Sequence, residues 1–395
     1  MTEGRAGVQL LLTPRGPPRL WHDPGMPQSA PAETPTLAVN LTETPADAQT
    51  RARLLENPGF GTLFGEHMVR IDYADGAWGR SLLQPYGTIQ LQPAAAVFHY
   101  AQAAFEGMKA FRLADGGIGV FRPDANAARM NRSSRRLAMP DLPVGRFIEA
   151  VDAVVKADAG WVPDGDGQSL YLRPLLFATE PVLQVRPSSQ FSFFVIDSPS
   201  GSYFAGGAKP VTVWVSEDYS RAAPGGTGAA KAAGNYAASL AAQLQAQEAG
   251  CEGVVWLDAV ERAAVEEMGG MNLVFVFGQG DDVRLVTPEL TGTILAGVTR
   301  DSILQLGRDL GHRVEERRIT MDEWRRGTAD GSISEVFACG TAAVITAVGH
   351  VKSMSDEFSI GGGAFGPVAS KLRETLLGIQ HGTAPDPHGW LHRVL

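Results

Sequence analysis

The chain has 395 residues, 44% of them hydrophobic and 19% charged, with 34 Lys plus Arg against 43 Asp plus Glu for a formal charge of −9. That length exceeds what one compact core usually holds and predicts about two to three domains. The acidic balance excludes wholesale binding to a nucleic-acid backbone, which needs a basic stripe, and two cysteines, Cys251 and Cys339, cannot build a disulfide framework or a Cys-rich zinc site.

Residues 1–46 hold eight of the 25 prolines and show no apolar periodicity. They cannot bury enough surface to offset their ordering entropy and read as a loose extension. The apolar run at residues 8–12 is too short for a signal h-region. No later run reaches the roughly 18–20 apolar residues of a spanning helix; the longest, residues 336–348, is broken by Gly340, Thr341 and Thr346 and reads as buried core. With the low cysteine count, this places the protein in the cytoplasm.

From Pro58 the patterning turns globular. Residues 107–112 and 118–122 flank Ala114-Asp115-Gly116-Gly117 as a β-hairpin. Asp124 is expected to cap a helix carrying Arg129, Arg132 and Arg136 on one side. Phe147, Ile148, Val151, Val154 and Val155 form a helical stripe. Tyr171-Leu172-Arg173 and residues 191–196 read as strands, and Ser198-Pro199-Ser200-Gly201-Ser202 followed by Gly206-Gly207 reads as a linker.

Residues 211–215 and 254–257 are β-rich runs flanking an alanine-rich helix that closes at Gly250, and a second hairpin spans residues 263–267 and 273–277. Helices are expected over 299–310, over 320–326, where Thr320 and Glu323 resemble a capping box, and over 367–379. The chain thus divides into an extension (1–46), a smaller domain (47–198), a linker (199–207) and a larger domain (208–395). Helices and strands mix without strict βαβ alternation, so α+β packing is expected over a doubly wound sheet.

The densest unusual segment runs from Pro224 to Tyr236, where Lys231 stands among small residues just before a helix. The spacing of a phosphate-binding P-loop is absent, because Ala230 stands where that motif needs glycine. No Gly-x-Gly-x-x-Gly follows a strand, which counts against a dinucleotide fold. Small neighbours do allow close backbone approach to a bound group, and a lysine held in an apolar setting is a usable amine.

Six motifs then occur in order: Phe105-Glu106-Gly107-Met108-Lys109-Ala110-Phe111; Lys231 with Gly234-Asn235-Tyr236; Glu267-Met268-Gly269-Gly270-Met271-Asn272; Gly297-Val298-Thr299-Arg300; Cys339-Gly340-Thr341-Ala342; and residues 371–380. Together they resemble the branched-chain-amino-acid aminotransferases of the class IV pyridoxal-phosphate family, from about residue 50 to the C-terminus. The resemblance implies fold type IV, with a smaller N-terminal α/β domain and a larger C-terminal domain around a β-barrel-like core. It implies pyridoxal 5′-phosphate held by Lys231 as an imine. It also implies Glu267 against the pyridine nitrogen, where neighbouring Glu266 would point the other way on a strand, and Tyr236 on the phenolic oxygen. Arg129, Val298, Thr299 and Thr341 would serve the phosphate, the helix start being a ready anion site. For substrate it implies Phe60, Tyr100, Tyr171, Arg173, Gly270, Thr341 and Ala342, with Tyr100 reaching the partner subunit's site in a homodimer.

The activity implied is transamination of leucine, isoleucine and valine with 2-oxoglutarate, one pocket taking both an apolar side chain and a carboxylate, for which Arg173 is the candidate partner. Gly270 stands where some relatives carry threonine, and Ala343 and Thr346 replace a Cys-x-x-Cys pair. The alternatives are D-amino-acid transamination or aminodeoxychorismate lysis, which would share Lys231 and Glu267, and a non-catalytic cofactor-binding scaffold. The eight histidines form no ligand cluster in the sequence, and no metal is expected.

Overall fold

The computed structural model describes residues 37–201 and 209–395. Strands and helices gather into two sheets with helices packed against them. The first sheet has ten strands. Its centre is β1 (His67–Ala74), β2 (Met108–Arg112), β3 (Ile118–Phe121), β4 (Ser169–Ala178) and β5 (Phe191–Ser200), in the spatial order β1-β5-β4-β2-β3. The expected hairpin is present as β2 and β3. Helices α1 (Pro123–Arg136) and α2 (Val144–Ala157) follow, and α2 buries Phe147, Val151, Val154 and Val155 against Ile71, Leu172 and Phe193 in the core of this sheet.

Three expectations are corrected here. Asp124 does not cap α1: the capping position is Arg122, in a left-handed conformation, with Pro123 in the first helical position and Asp124 inside the first turn. Proline fixes φ for that position and has no N–H to lose, so the helix starts two residues earlier, and Asp124 acts on its dipole instead. Ser198 to Ser200, expected in the linker, continue β5, because β4 and β5 stay paired out to Ser169↔Ser200. Within the extension, Ala38–Val39 forms a short strand parallel to Leu82 and Leu83. The remaining linker residues (202–207), residue 208 of the larger domain, and residues 1–36 lie outside the described residues.

The second sheet closes on itself. Strands β6 (Val211–Ser216), β7 (Gly253–Leu257), β8 (Val265–Met268), β9 (Met271–Phe277), β10 (Ile333–Gly340) and β11 (Val344–Lys352) pair in the ring β8-β7-β6-β11-β10-β9. The β8–β9 hairpin, Glu267↔Asn272 and Met268↔Met271, completes it. A six-stranded barrel results, as the resemblance implied. Alternation divides its side chains: Leu273, Phe275 and Phe277 join one apolar cluster with Trp324, while Val274 and Val276 join another with Ile303 and Leu372.

The expected helices are present as α3 (Leu240–Glu248), α4 (Val298–Asp309), α5 (Met321–Asp330) and α6 (Pro367–Gln380). Thr320 caps α5, accepting from the Glu323 N–H at 3.1 Å. The Glu323 carboxylate goes to Arg317 rather than back to the cap, so half of the expected capping box forms. Residues 336–348 are buried strand, as expected, and among the described residues no helix is long and apolar enough to cross a membrane.

Candidate active site

Lys231 is delivered to the site by contacts of its own backbone. Its N–H donates to Ser133 Oγ at 2.9 Å, and its carbonyl accepts from the Phe105 N–H at 3.1 Å. Ser133 and Arg129 are four residues apart on α1, hence on one face, so one helix holds both Lys231 and the candidate phosphate arginine. Asn235 ties down the small-residue loop upstream of Lys231, donating to the carbonyls of Thr227 at 2.8 Å and Ala230 at 2.9 Å. The Lys231 Nζ donates to the Tyr236 hydroxyl at 2.9 Å and lies 4.9 Å from the centre of the Phe105 ring.

A cavity of ≈ 820 Å³ opens over this lysine. Of the residues expected at the site, Arg129, Lys231, Tyr236, Val298, Thr299 and Thr341 line it from the cofactor set. Phe60, Tyr171, Arg173, Gly270 and Ala342 line it from the substrate set. Glu267 is absent from the lining and lies buried beside it, close enough for the Lys231 charge to oppose part of the rise that burial causes in its pKa. Tyr100 stands apart: the residue is 38% exposed and its hydroxyl donates to the Leu183 carbonyl.

Two arginine–carboxylate pairs flank the lysine. Arg129 grips Glu106 through both forks, Nε to Oε1 at 2.8 Å and NH2 to Oε2 at 2.6 Å, and its NH1 donates to the Ala296 carbonyl at 3.1 Å. Arg221, which the motifs did not single out, donates to Glu267 Oε1 at 3.0 Å, and the Leu295 N–H donates to the same oxygen at 2.5 Å. Burial pushes the Glu267 carboxyl above the usual carboxylate range, against the pull of the Arg221 guanidinium and the Leu295 N–H. Glu266 is buried too and points elsewhere, accepting from the Thr293 hydroxyl; burial also raises its pKa. Neighbouring Glu266 and Glu267 thus point to different partners, as alternation on a strand requires.

On the opposite side, α4 begins at Val298 with no side chain capping its first turn among the described residues. Gly297 must be glycine, since a Cβ there would stand 2.1 Å from the Asn272 amide oxygen. Gly107 is constrained alike, its missing Cβ making room for the Tyr171 hydroxyl. The Phe60 and Tyr171 rings meet edge to face at 5.4 Å, and Arg173 donates to the Tyr171 hydroxyl at 3.0 Å. The loop carrying Phe60 ends at Glu66 and His67, whose N–H groups donate to Asp158 Oδ2 at 3.0 and 2.9 Å. Both His67 ring nitrogens are engaged: Nε2 accepts from the Thr42 N–H at 3.1 Å, so Nδ1 carries the proton and donates to Asp158 at 2.7 Å.

The donor set tests for a phosphorylated pyridine aldehyde and fits it. An amine is present for the aldehyde, a buried carboxylate for the ring nitrogen, and a buried arginine with an uncapped helix start for a dianion.

The fold and this site define an aminotransferase. The family model for amino-transferase class IV matches residues 103–351, and the chain belongs to that family. It is 57% identical over 358 residues to the branched-chain-amino-acid aminotransferase of Mycolicibacterium smegmatis, covering 90% of this chain and 97% of that protein. It is also 57% identical over 352 residues to the enzyme of the same name from Mycobacterium tuberculosis, covering 89% and 96%. Among solved structures, it matches the Escherichia coli branched-chain amino acid aminotransferase with a TM-score of 0.69 at 27% identity, over 84% of this chain and 100% of that one. The branched-chain aminotransferase of the thermophilic archaeon Thermoproteus uzoniensis, solved with norvaline, matches with a TM-score of 0.66 at 25% identity, over 83% and 100%.

Proposed function

We propose that the cavity over Lys231 is the active site of a branched-chain-amino-acid transaminase using pyridoxal 5′-phosphate. The chain transaminates L-leucine, L-isoleucine and L-valine with 2-oxoglutarate. The observation that carries the reading is the convergence of Lys231, Tyr236, Arg129 and the α4 start on one cavity, with Glu267 buried against it. A degenerate scaffold need not keep all of them.

Lys231, Tyr236, Glu267, Arg129, Val298, Thr299 and Thr341 would hold the cofactor, which when bound supplies an electron sink for the substrate Cα. Glu267 provides the negative charge that favours a protonated pyridine nitrogen. The Lys231 Nζ takes the proton from the substrate Cα, with Tyr236 fixing where that amine stands. The Thr341–Ala342 backbone receives the substrate α-carboxylate, next to Gly270. Phe60 and Tyr171 shelter the apolar side chain, and Arg173 receives the side-chain carboxylate of glutamate.

The reading extends to a homodimer in which Tyr100 reaches the partner subunit's site. In support, Phe98, Leu183 and Val185 around Tyr100 are 62%, 64% and 83% exposed, an apolar patch that suits an interface. It also includes a cytoplasmic location, in keeping with two unpaired, buried cysteines, and a division into domains over 47–198 and 208–395, in keeping with the two sheets.

The test is the visible spectrum of the holoenzyme with and without L-leucine plus 2-oxoglutarate. The reading requires a spectral change and turnover, abolished in Lys231→Ala while noncovalent cofactor binding persists. Turnover of D-alanine or aminodeoxychorismate in place of leucine would overturn the substrate assignment, and near-normal turnover by Lys231→Ala would overturn the mechanism.

A further inference from the structure

Lys109 points from β2 toward the barrel, paired across the sheet with Tyr171. Only 6% of it is exposed, and its Nζ donates to the Ala342 carbonyl at 2.8 Å. Among the described residues no carboxylate forms an ion pair with it, and Arg373 from α6 adds a second positive charge nearby. A buried, unpaired ammonium is costly, and this one is spent on a single backbone carbonyl.

That carbonyl belongs to the tight turn joining β10 to β11, and the residue closing the turn, Val344, has φ +62°. A β-branched residue in the left-handed region is strained, and such strain persists only where surrounding structure enforces it. Val344 is itself buried. The same turn carries Thr341 and Ala342, the edge of the cavity.

We propose that Lys109 is a positioning residue for substrate: from behind the cavity, its ammonium pins the strained β10–β11 turn in the shape that presents the Thr341–Ala342 backbone to the substrate α-carboxylate. This rests on the assignment of that turn to the carboxylate under the function proposed above. The charged group facing Lys109 is Arg373. The other polar groups sharing its small enclosed void, Asn126 of α1, Thr299 of α4, Thr341 of the turn and Gln380 of α6, are uncharged, and Glu106 is taken by Arg129. Desolvation and Arg373 lower the Lys109 pKa to about 8. The pinning charge is therefore full below that pH and fades above it.

The experiment uses holoenzyme and the leucine-like carboxylate 4-methylvalerate, with affinity read by calorimetry and exchange of the turn amides by mass spectrometry. Lys109→Met should bind 4-methylvalerate roughly tenfold or more weakly, raise KM for leucine more than it lowers kcat, and speed exchange at residues 341–344. Lys109→Arg, which keeps a cationic donor, should recover part of the affinity. Adding Val344→Gly to Lys109→Met should restore binding, because glycine adopts φ +62° without strain. Wild-type affinity should also fall as pH rises through about 8, and that component should vanish in Lys109→Arg.

Wild-type affinity and unchanged exchange in Lys109→Met would overturn the proposal. So would a loss of affinity that Val344→Gly leaves untouched, since it would make the charge rather than the turn responsible. Should Lys109→Met fail to fold, the Lys109→Arg pH comparison decides. A wild-type enzyme that fails to transaminate leucine overturns the functional reading instead, while calorimetry and exchange still decide the role of Lys109.

Discussion

The two arginine–carboxylate pairs beside Lys231 are built differently. Arg129 and Glu106 form a closed pair: both forks are engaged, both partners are buried, and Asn126 adds a third bond to Glu106 at 2.8 Å. Arg221 and Glu267 form an open pair. One contact joins them at 3.0 Å, the Arg221 Nε has no partner among the described residues, and both bonds to the carboxylate fall on one oxygen. A closed pair holds its own partners in place, so Glu106 fixes where the Arg129 guanidinium stands. An open pair keeps charge in reserve for a third group, which suits the ring-nitrogen role proposed above for Glu267.

The comparison breaks most visibly at the open pair. Glu267→Gln keeps the shape and removes the reserve charge, so cofactor binding should survive while Cα deprotonation slows by roughly three orders of magnitude or more, about 4 kcal/mol. A growing isotope effect with Cα-deuterated leucine checks this, and Glu266→Gln should not reproduce it. At the closed pair the damage should appear as lost stability. Glu106→Gln leaves Arg129 buried without its counter-charge, a loss of about 3–5 kcal/mol read by denaturant unfolding.

Arg173 sharpens the contrast, since its guanidinium rests 4.7 Å from the centre of the Phe105 ring and, among the described residues, donates to the Tyr171 hydroxyl and to no carboxylate. Arg173→Gln should raise KM for glutamate and 2-oxoglutarate by about 1.5–3 kcal/mol and affect leucine much less. Steady-state kinetics of the two half-reactions separate these outcomes, and equal losses would make Arg173 structural. The smallest effect belongs to oxidation. Burial pushes the Cys339 thiol up to about 12, and the positions of a dithiol pair are Ala343 and Thr346. Mild peroxide should leave activity unchanged, and a loss reversed by dithiothreitol would contradict this.

That Lys231 and Tyr236 would come together, and that Glu266 and Glu267 would point to different partners, was legible in the sequence, because motifs and strand alternation are local. The pairings were not. Arg221 lies 46 residues from Glu267 and Lys109 lies 233 from Ala342, and no local pattern says which of many arginines or lysines will cross to meet a given group. The hairpins and most helices were readable from periodicity, whereas the start of α1 was misplaced because proline at the first helical position outranks a nearby aspartate as a boundary signal. The continuation of β5 through Ser198 and Ser200 was hidden by turn-forming residues that a long partner strand overrides.

The closed ring of strands has one further consequence. Glu267, Asn272 and Cys339 lie on a single rung, paired neighbour to neighbour in register across β8, β9 and β10. Adjacent strands sit about 4.8 Å apart, so the carboxylate and the start of the Gly340–Ala342 turn are held at a span set by backbone geometry, which side-chain substitution can hardly stretch. Phe60, Tyr171 and Arg173 come from the other sheet and its loops. Under the function proposed above, substitutions there retune which side chain is accepted while the spacing between Glu267 and the turn is inherited unchanged, so substrate range and chemistry can diverge along separate evolutionary paths.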